Sequence, residues 1–339
     1  MTTRVGINGF GRIGRTFTRL ALDRADLEVV AVNDITDART LAHLLEFDST
    51  YGRLGRTVEY AEHALTIGGD QVAVLSERDP AAIDWAGLGA DIVVEATGRF
   101  RSRDAVAAHL KGGARKVLIS APGRGADLTV VLGVNGGAYD ARRHDIISNA
   151  SCTTNCVAPM VKVLHDAFGV ERGFMTTVHA YTGDQMLLDG PHKDLRRARS
   201  AAANIVPTTT GAARATGEVI PALAGKLDGV AVRVPVEDGS LTDLAVVIGR
   251  EVTADAVNEA FAAAASGPLA GILRYSTDPI VSRDIFGDPA SCVFDSLLTQ
   301  ASAVPGTAMT LVKAFGWYDN EWGYTCRLAD LAVLVGSQL

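Results

Sequence analysis

The sequence predicts a two-domain α/β protein, with a parallel sheet in the first domain and an α+β second domain whose sheet is mixed and largely antiparallel. Over residues 1–150, short apolar runs alternate with helical patterns, which is typical of βαβ units. After Ala150 the apolar runs lengthen and fewer helical patterns separate them. A length of 339 residues also suits about two domains. We therefore expect a first domain over 1–150 and a second that begins at residue 151.

Each element of the first domain follows from its local pattern. The predicted strands are RVGIN, LEVVAVND, ADIVVEATG, ARKVLISAP, LTVVLGVN and DIISNA. The predicted helices are GFGRIGRTFTRLALDR, DARTLAHLLEFD and SRDAVAAHLKGG. In the first helix, apolar residues recur every three or four positions, which is the spacing of one buried face, at Ile13, Phe17, Leu20 and Ala21.

The second domain begins with a predicted helix, NCVAPMVKVLHDAFG, which should end at Gly169. Its predicted strands are GFMTTVHAY, GVAVRVPV, TDLAVVIG and AMTLVKAFGWY. The Ala-rich run TADAVNEAFAAAASGPLA predicts a helix that Gly-Pro ends. The last run, YTCRLADLAVLVGSQL, predicts a final helix.

The composition argues against several classes of protein. A net charge of -7 disfavours a nucleic-acid binder. No apolar stretch reaches the roughly 18 residues of a membrane helix, and MTTRVGINGFGRIG lacks the pattern of a signal peptide. The 4 cysteines are too sparse for a disulfide scaffold. We therefore expect a cytoplasmic protein with reduced thiols.

A glycine motif directly follows the first predicted strand. Gly9, Gly11 and Gly14 form G-x-G-x-x-G, which permits a tight turn and lets a pyrophosphate approach the N-terminus of a helix. Asp34 ends the second strand, where a carboxylate binds the adenosine ribose and repels a 2′-phosphate. The alternative is a glycine turn needed for packing and an Asp that caps the next helix. The pattern favours a Rossmann-type domain that binds NAD rather than NADP.

The stretch NASCTTNCVAP carries Cys152 and Cys156. A metal site would need more ligands nearby, and a disulfide within a cytoplasmic helix is disfavoured. Cys152 lies where a strand gives way to a helix, and a helix N-terminus lowers the pKa of a thiol. We expect Cys152 to be reactive and Cys156, Cys292 and Cys326 to be inert buried thiols, which is also the alternative for Cys152.

A base and an anion site are also predicted. His179 stands in the strand-like FMTTVHAYTGD, from which it could approach Cys152, although a lone strand histidine is often a core or surface residue. The runs HKDLRRARS, PTTTGAAR and VAVRVPV supply the guanidinium and hydroxyl groups of a phosphate site. The alternatives are a solvated or subunit-contacting charge run and, for Arg233, an internal salt bridge.

Together these residues resemble the phosphorylating, NAD-dependent glyceraldehyde-3-phosphate dehydrogenase family. The matching stretches run in order from residue 5 to about 324, and SCTTNC is highly specific among them. They are GINGFGRIGR, VNDITD, LAHLLEFDSTYG, SNASCTTNC, TTVHAYTGDQ, PHKDLRRAR, PTTTGAA, VRVPV and WYDNEWGY. The resemblance implies that a homotetramer oxidises glyceraldehyde 3-phosphate with NAD and inorganic phosphate. It also implies a catalytic domain over 151–317 and a C-terminal helix over about 318–339 that packs on the first domain.

The resemblance further implies a role for individual residues. Cys152 would be the nucleophile and His179 the base. The residues implied in NAD binding are Gly9, Gly11, Arg12, Ile13, Gly14, Asp34, Arg78, Ser120 and, at the nicotinamide carboxamide, Asn320. Those implied at the substrate phosphate are Thr182, Asp184 and Arg233. Those implied at the inorganic phosphate are Ser151, Thr153, Arg197, Thr210 and Gly211. No metal is implied, and the loop from about 181 to 203 would lie at a subunit interface.

Two positions depart from the family pattern. Gly190 stands where several members carry a bulkier residue beside the adenosine ribose, and Gly183 stands where Asn is frequent. Neither position is expected to touch the reaction centre. The exclusion of NADP therefore rests more heavily on Asp34.

Two other functions remain open at this point. Erythrose-4-phosphate dehydrogenase shares the architecture but passes its thioester to water, and the TTTG run with Arg197 favours phosphate instead. A catalytically silent NAD-sensing scaffold is the second alternative. The joint presence of Cys152, His179, Arg233 and Asn320 disfavours such a loss of activity.

Overall fold

The structure, a computed structural model, describes residues 2–339. The chain forms two compact units. The first unit holds the chain up to Val130, with Gly136–Ala150 and Thr325–Leu339. The second unit holds Val131–Asn135 and Ser151–Tyr324.

The first unit is built on a nine-stranded sheet. The strands of this unit are β1 (Thr3–Asn8), β2 (Leu27–Asn33), β3 (Phe47–Asp48), β4 (Gly52–Arg53), β5 (Val58–Ala61), β6 (Ala64–Ile67), β7 (Asp70–Leu75), β8 (Ile92–Glu95), β9 (Lys116–Ile119), β10 (Leu128–Thr129) and β11 (Ile146–Ser148). Its helices are α1 (Arg12–Ala21), α2 (Ala38–Glu46) and α3 (Arg103–Lys111).

The order of the large sheet is β10-β11-β9-β8-β1-β2-β7-β6-β5. Its strands pair in parallel except at β5, β6 and β7, which form an antiparallel meander. All residues of β8 and β9 are buried, because helices cover both faces of such a sheet and its central strands are apolar throughout. The carboxyl ends of β1, β2 and β8 consequently lie at one edge, where a ligand can bind.

The second unit is built on an eight-stranded mixed sheet in the order β13-β14-β12-β15-β19-β17-β16, with β18 paired to β19. Its strands are β12 (Val170–Ala180), β13 (Val206–Thr209), β14 (Leu227–Val234), β15 (Ser240–Ile248), β16 (Leu273–Ser276), β17 (Cys292–Asp295), β18 (Gln300–Ala303) and β19 (Thr310–Tyr318). Its helices are α4 (Cys152–Phe168), α5 (Ala212–Val219) and α6 (Ala254–Ser266). The helix α7 (Trp322–Gly336) ends the chain.

One face of this second sheet is buried against the helices. Residues of β15 alternate strictly between buried and half-buried, which is the period of a strand with one covered face. Leu244 of this strand belongs to the same core as Met160 of α4 and Phe261 of α6. Strands β12 and β14 pair in parallel, so that His179 lies opposite Arg233 at the carboxyl ends of both.

The predicted fold class is confirmed, and two local predictions change. Only Leu128–Thr129 of the predicted strand LTVVLGVN is a strand. Val131–Asn135 instead form a turn, in which the Asn135 side chain accepts from the Val131 N–H at 2.8 Å. The final helix begins at Trp322, because the residues up to Tyr318 extend β19. None of the helices within residues 2–339 is long and apolar enough to cross a membrane.

Candidate active site

Cys152 is the first residue of α4. Ala150, just before it, is the one non-glycine residue among those described that has a positive φ, at 54°, and this left-handed conformation turns the chain sharply from β11 into the helix. Ser151 then caps the helix, because its hydroxyl accepts from the Thr154 N–H at 3.0 Å. The thiol of Cys152 therefore lies at the end of α4 where backbone N–H groups are unpaired.

His179 faces this thiol from the end of β12. Its Nε2 lies 3.4 Å from the Cys152 sulfur, within hydrogen-bond distance of a thiol. Its Nδ1 lies 2.7 Å from the Ala180 carbonyl oxygen, which can only accept. The Arg233 Nη1, which can only donate, lies 3.0 Å from the same Nδ1. The tautomer able to take the thiol proton carries its own proton on Nδ1, directed at Ala180, and leaves the Nε2 lone pair directed at the sulfur.

The electrostatics of this pair differ from the prediction. We predicted from its helix position that the pKa of Cys152 is lowered, but burial raises this pKa to about 11, against the lowering effects of Arg233 and Thr153. Burial and then the charge of Arg233 lower the pKa of His179 to about 3. At neutral pH the two side chains consequently face each other as a neutral thiol and a neutral imidazole. Such a pair transfers its proton during nucleophilic attack rather than before it.

A cationic cluster lies beside His179. The Arg233 Nη1 donates to the Ala180 carbonyl at 2.9 Å and to the Thr182 hydroxyl at 3.1 Å. Burial lowers the pKa of Arg233, and no carboxylate within residues 2–339 forms a salt bridge with it. Its Nε is buried without a partner. A half-buried guanidinium in this state favours an anionic ligand, because partial desolvation of a charge without a carboxylate partner is costly.

The neighbouring Arg197 is held in place by other groups. It pairs with the Asp184 carboxylate, which also accepts from the Thr182 hydroxyl. Its Nε donates to the Thr208 hydroxyl at 3.0 Å, and Thr208 in turn donates to Asp194. Asp184 therefore orients Thr182 and Arg197, and the structure brings these three predicted residues together.

The remaining predicted phosphate residues lie at two helix starts. Thr153 is buried, and its hydroxyl lies 2.9 Å from the Tyr318 hydroxyl. Gly211 is the N-cap of α5, and the Thr210 hydroxyl accepts from the Ala212 N–H at 3.2 Å. Their roles and that of Ser151 stay predictions.

Tyr318 is a site residue that sequence reasoning missed. Its ring meets that of His179 edge to face at 5.9 Å, and its hydroxyl also lies 2.8 Å from Thr177. The pKa of its hydroxyl is raised well above the ordinary value, by burial first. Tyr318 lies in the matching stretch WYDNEWGY, but no role was predicted for it, because a tyrosine at the end of an apolar strand is usual in cores.

Asn320 follows β19 and is buried. The carboxyl groups of Asp319 and Asp238, both buried, are joined by a hydrogen bond beside it. Asp319 accepts three backbone N–H groups, from Gly287, Glu321 and Trp322. Burial, followed by the charge of Asp319, raises the pKa of Asp238 to about 8. Asp238 therefore carries the proton that joins the two carboxyl groups at neutral pH.

Asp238→Asn is expected to remove a pH dependence of stability. A carboxyl group whose pKa is raised by folding stabilises the folded state while it is protonated. For Asp238 this stabilisation is complete below the ordinary pKa of 3.8 and is lost as the pH rises towards about 8. The loss is up to about 1.4 kcal/mol per pH unit. An amide in place of the protonated carboxyl can keep the bond to Asp319. Urea unfolding at pH 5 and 8 measures the change, and an unaltered pH slope in the variant would contradict the assignment.

Half of the predicted cofactor residues of the first unit line a cavity. This cavity has a volume of about 370 Å³ and lies at the carboxyl edge of the parallel sheet. Four predicted residues line it, namely Gly9, Gly11, Asp34 and Arg78. Asn8, Asn33 and Thr97 also line it and were not predicted.

The glycine motif fits a dinucleotide for reasons that differ among its members. A Cβ on Gly9, whose φ is +97°, would come within 2.5 Å of the Thr97 nitrogen, and one on Gly14 within 2.3 Å of the Gly9 oxygen. These two glycines are needed for packing. A Cβ on Gly11 would meet no protein atom within 4 Å. Its absence instead leaves backbone N–H groups open to a pyrophosphate at the start of α1.

Four predicted residues of the first unit do not line this cavity, namely Gly14, described above, and Arg12, Ile13 and Ser120. Arg12 pairs with Asp48 and lies 5.5 Å from the centre of the Tyr51 ring. Ile13 is half-buried in α1. The Ser120 hydroxyl donates to the Glu95 carbonyl at 2.9 Å. Cofactor contacts by these four residues stay predictions.

Asp34→Ala is expected to raise the use of NADP relative to NAD by about tenfold. Asp34 lines the cavity, and its carboxylate is held there by the N–H groups of Phe10 and Thr36, at 2.8 and 3.0 Å. Its removal ends the repulsion of a 2′-phosphate and the binding of ribose hydroxyls. The ratio of kcat/KM values for the two cofactors measures this. Asp37→Ala, at the exposed cap of α2, is the control, and an equal shift there would contradict the assignment.

The parallel-sheet domain with its glycine motif, together with the matches to known families, defines an NAD-dependent oxidoreductase. Residues 3–103 match the model of the glyceraldehyde 3-phosphate dehydrogenase NAD binding domain, and residues 151–320 match that of the C-terminal domain. The chain therefore belongs to the glyceraldehyde-3-phosphate dehydrogenase family.

Curated relatives agree with this family over the full length of the chain. A glyceraldehyde-3-phosphate dehydrogenase of Streptomyces coelicolor is 60% identical over 341 residues, covering 100% of both chains. Glyceraldehyde-3-phosphate dehydrogenase 2 of Streptomyces avermitilis is 58% identical, again over 100% of both. The Geobacillus stearothermophilus glyceraldehyde-3-phosphate dehydrogenase is 54% identical over 100% of this chain and 99% of its own.

Proposed function

We propose that the protein oxidises D-glyceraldehyde 3-phosphate with NAD and inorganic phosphate to 1,3-bisphosphoglycerate, as a step of glycolysis. The observation that carries this proposal is the arrangement around His179. The imidazole contacts the Cys152 thiol on one side, and on the other lies the half-buried Arg233, which forms no salt bridge with a carboxylate of residues 2–339. A nucleophile and a base thus stand beside a site for a phosphorylated substrate.

The first step forms a covalent bond between sulfur and substrate. The Cys152 sulfur attacks the aldehyde carbon, and the Nε2 of His179 takes the thiol proton and returns it to the carbonyl oxygen. The product is a thiohemiacetal, and the imidazole is neutral again. Arg233 and Thr182 hold the substrate phosphate, so that the aldehyde lies over the sulfur.

The second step oxidises this adduct. NAD, when bound, supplies the hydride acceptor. His179 accepts the hydroxyl proton as the thiohemiacetal becomes a thioester, and the low pKa of its imidazole keeps it neutral until then. The Cys152 backbone N–H at the start of α4 stabilises negative charge on the oxygen.

The third step releases the product. Inorganic phosphate attacks the thioester carbon, and the bond to sulfur breaks. The proton on His179 returns to the Cys152 sulfur. We assign the attacking phosphate to the hydroxyl and N–H groups of Ser151, Thr153, Thr210 and Gly211, together with Arg197. The hydrogen bonds of Arg197 to Asp184 and Thr208 support this role, because they hold its guanidinium group in one orientation.

We also propose a homotetramer that works in the cytoplasm. Support for assembly comes from the loop after β12, where Leu187, Leu188 and Leu195 are 77%, 77% and 81% exposed. Such exposed apolar side chains mark an interface. All 4 cysteines are free, which suits a reducing compartment. A light-scattering mass of one or two chains would contradict the tetramer.

The test is NADH formation from glyceraldehyde 3-phosphate and NAD, with and without inorganic phosphate. We expect sustained turnover only with phosphate, and without it a burst of one NADH per site that then stalls. Sustained turnover without phosphate would mean that water resolves the thioester, as in erythrose-4-phosphate dehydrogenase. Neither burst nor turnover would favour a silent NAD-binding scaffold.

A further inference from the structure

Ser240 connects two parts of the candidate active site. It begins β15, is fully buried, and lies opposite Tyr318 in the register with β19. Its hydroxyl oxygen accepts from the Ala180 N–H at 3.1 Å and lies 2.6 Å from the Asn320 Oδ1. A hydroxyl has one proton, and the Asn320 oxygen can only accept. Ser240 therefore donates its proton to Asn320.

This bond selects one of the two orientations of the Asn320 amide. The oxygen and nitrogen of an amide have nearly the same shape, so that hydrogen bonds decide which way the group faces. Within residues 2–339, the bond from Ser240 is the one hydrogen bond that Asn320 makes through its side chain. The oxygen is thereby turned to Ser240, and the nitrogen keeps both protons for a ligand.

We propose that Ser240 is a positioning residue for NAD, which acts by holding the Asn320 amide so that its nitrogen donates to the carbonyl of the nicotinamide carboxamide. The inference rests on the proposed role of Asn320. The reversed amide would present an oxygen to that carbonyl, and two acceptors repel each other. Loss of the Ser240 hydroxyl removes the donor that selects the productive orientation.

The same contacts tie the amide to the general base. Ala180 donates its N–H to Ser240, and its carbonyl oxygen lies 2.7 Å from the Nδ1 of His179. One residue at the end of β12 thus fixes both the imidazole and, through Ser240, the Asn320 amide. The reach of His179 to the sulfur and the orientation of the nicotinamide ring are therefore set by one short stretch of backbone.

A double-mutant cycle on NAD affinity tests the inference without aldehyde or phosphate. The dissociation constant of NAD is measured by titration for the wild type, Ser240→Ala, Asn320→Ala and the double variant. We expect each single variant to weaken binding by about tenfold, and the double variant to bind no more weakly than Asn320→Ala. Additive losses, or wild-type affinity in either single variant, would overturn the proposal.

Two further variants make the cycle specific. Thr242→Val is the matched control, because Thr242 lies two residues along the same strand and its buried hydroxyl has no hydrogen-bond partner within residues 2–339. This variant should bind NAD as the wild type does. Ser240→Cys keeps the side-chain shape but donates weakly, and its affinity should fall between those of Ser240 and Ser240→Ala. Wild-type affinity in Ser240→Cys would count against the hydrogen bond.

The outcomes also separate this inference from the proposed function. A wild type without phosphate-dependent turnover but with a non-additive cycle would remove the proposed reaction and leave the role of Ser240 standing. Phosphate-dependent turnover of the wild type together with an additive cycle would support the proposed reaction and remove the role of Ser240.

Discussion

Cys152→Ser is expected to lower turnover of glyceraldehyde 3-phosphate by at least about 10⁴-fold, which is the scale of losing a covalent nucleophile. A serine hydroxyl is far less acidic than a thiol, and an imidazole with a pKa of about 3 is too weak a base to activate it. An ester in place of the thioester would also react more slowly with phosphate. The measurement is NADH formation with saturating substrates, and mass spectrometry shows whether an acyl group accumulates on the protein.

The control for this substitution is Cys156→Ala. Cys156 lies one helical turn along α4, is fully buried, and contacts Met160 and the Gly316 carbonyl rather than a base. We expect this variant to lose some stability but to keep its turnover. NAD affinity should be unchanged in Cys152→Ser. Substantial turnover in Cys152→Ser, or a comparable loss in Cys156→Ala, would show that the nucleophile is a different group.

His179→Asn is expected to lower kcat by about 10²- to 10⁴-fold, the usual contribution of a general base. Asn can keep a bond to the Ala180 carbonyl but cannot accept a proton from the Cys152 thiol. Both the attack and the oxidation then lose their proton acceptor. Stopped-flow measurement of the first NADH formed reports on these two steps, and it should slow as much as steady-state turnover does.

The pH dependence of the wild type gives a second test of the same residue. Because burial and Arg233 lower the pKa of His179 to about 3, its imidazole is neutral from pH 8 down to pH 5. We therefore expect no inflection from His179 in the rate of the first NADH formed over that range. His63→Asn, which replaces a largely exposed imidazole, is the control and should leave the pH dependence of this rate unchanged. An inflection near pH 6 that disappears in His179→Asn would contradict the low pKa.

Short motifs carried most of what could be predicted about the site. The order strand, G-x-G-x-x-G, helix, strand and Asp34 predicts a dinucleotide site because each feature has a local cause, and the structure places Gly9, Gly11 and Asp34 around one cavity. The start of α4 at Cys152 could be predicted because Ser, Thr and Asn favour helix starts. The resemblance supplied the pairing of Cys152 with His179, and they lie 3.4 Å apart.

Other features depended on contacts between residues far apart in the chain. The direction of the Cys152 pKa was wrong because the enclosure of its sulfur outweighs the helix end, and enclosure is not visible in a motif. Thr153 and Tyr318, whose hydroxyl groups are hydrogen-bonded, are 165 residues apart in the sequence. Ser240 and Asn320, which are also hydrogen-bonded, are 80 residues apart in the sequence. No local pattern distinguishes these side chains from ordinary core residues.

The sequence alone determined the α/β fold class, the glycine turn with its acidic partner, and the helix that begins at Cys152. These depend on periodicity, backbone conformation and helix capping, which act over a few residues. Only the tertiary structure decided the protonation of the thiol and imidazole, the unpaired state of Arg233, and the orientation of the Asn320 amide. Burial and hydrogen-bond partners control these properties, and both arise when strands and helices distant in the chain pack together.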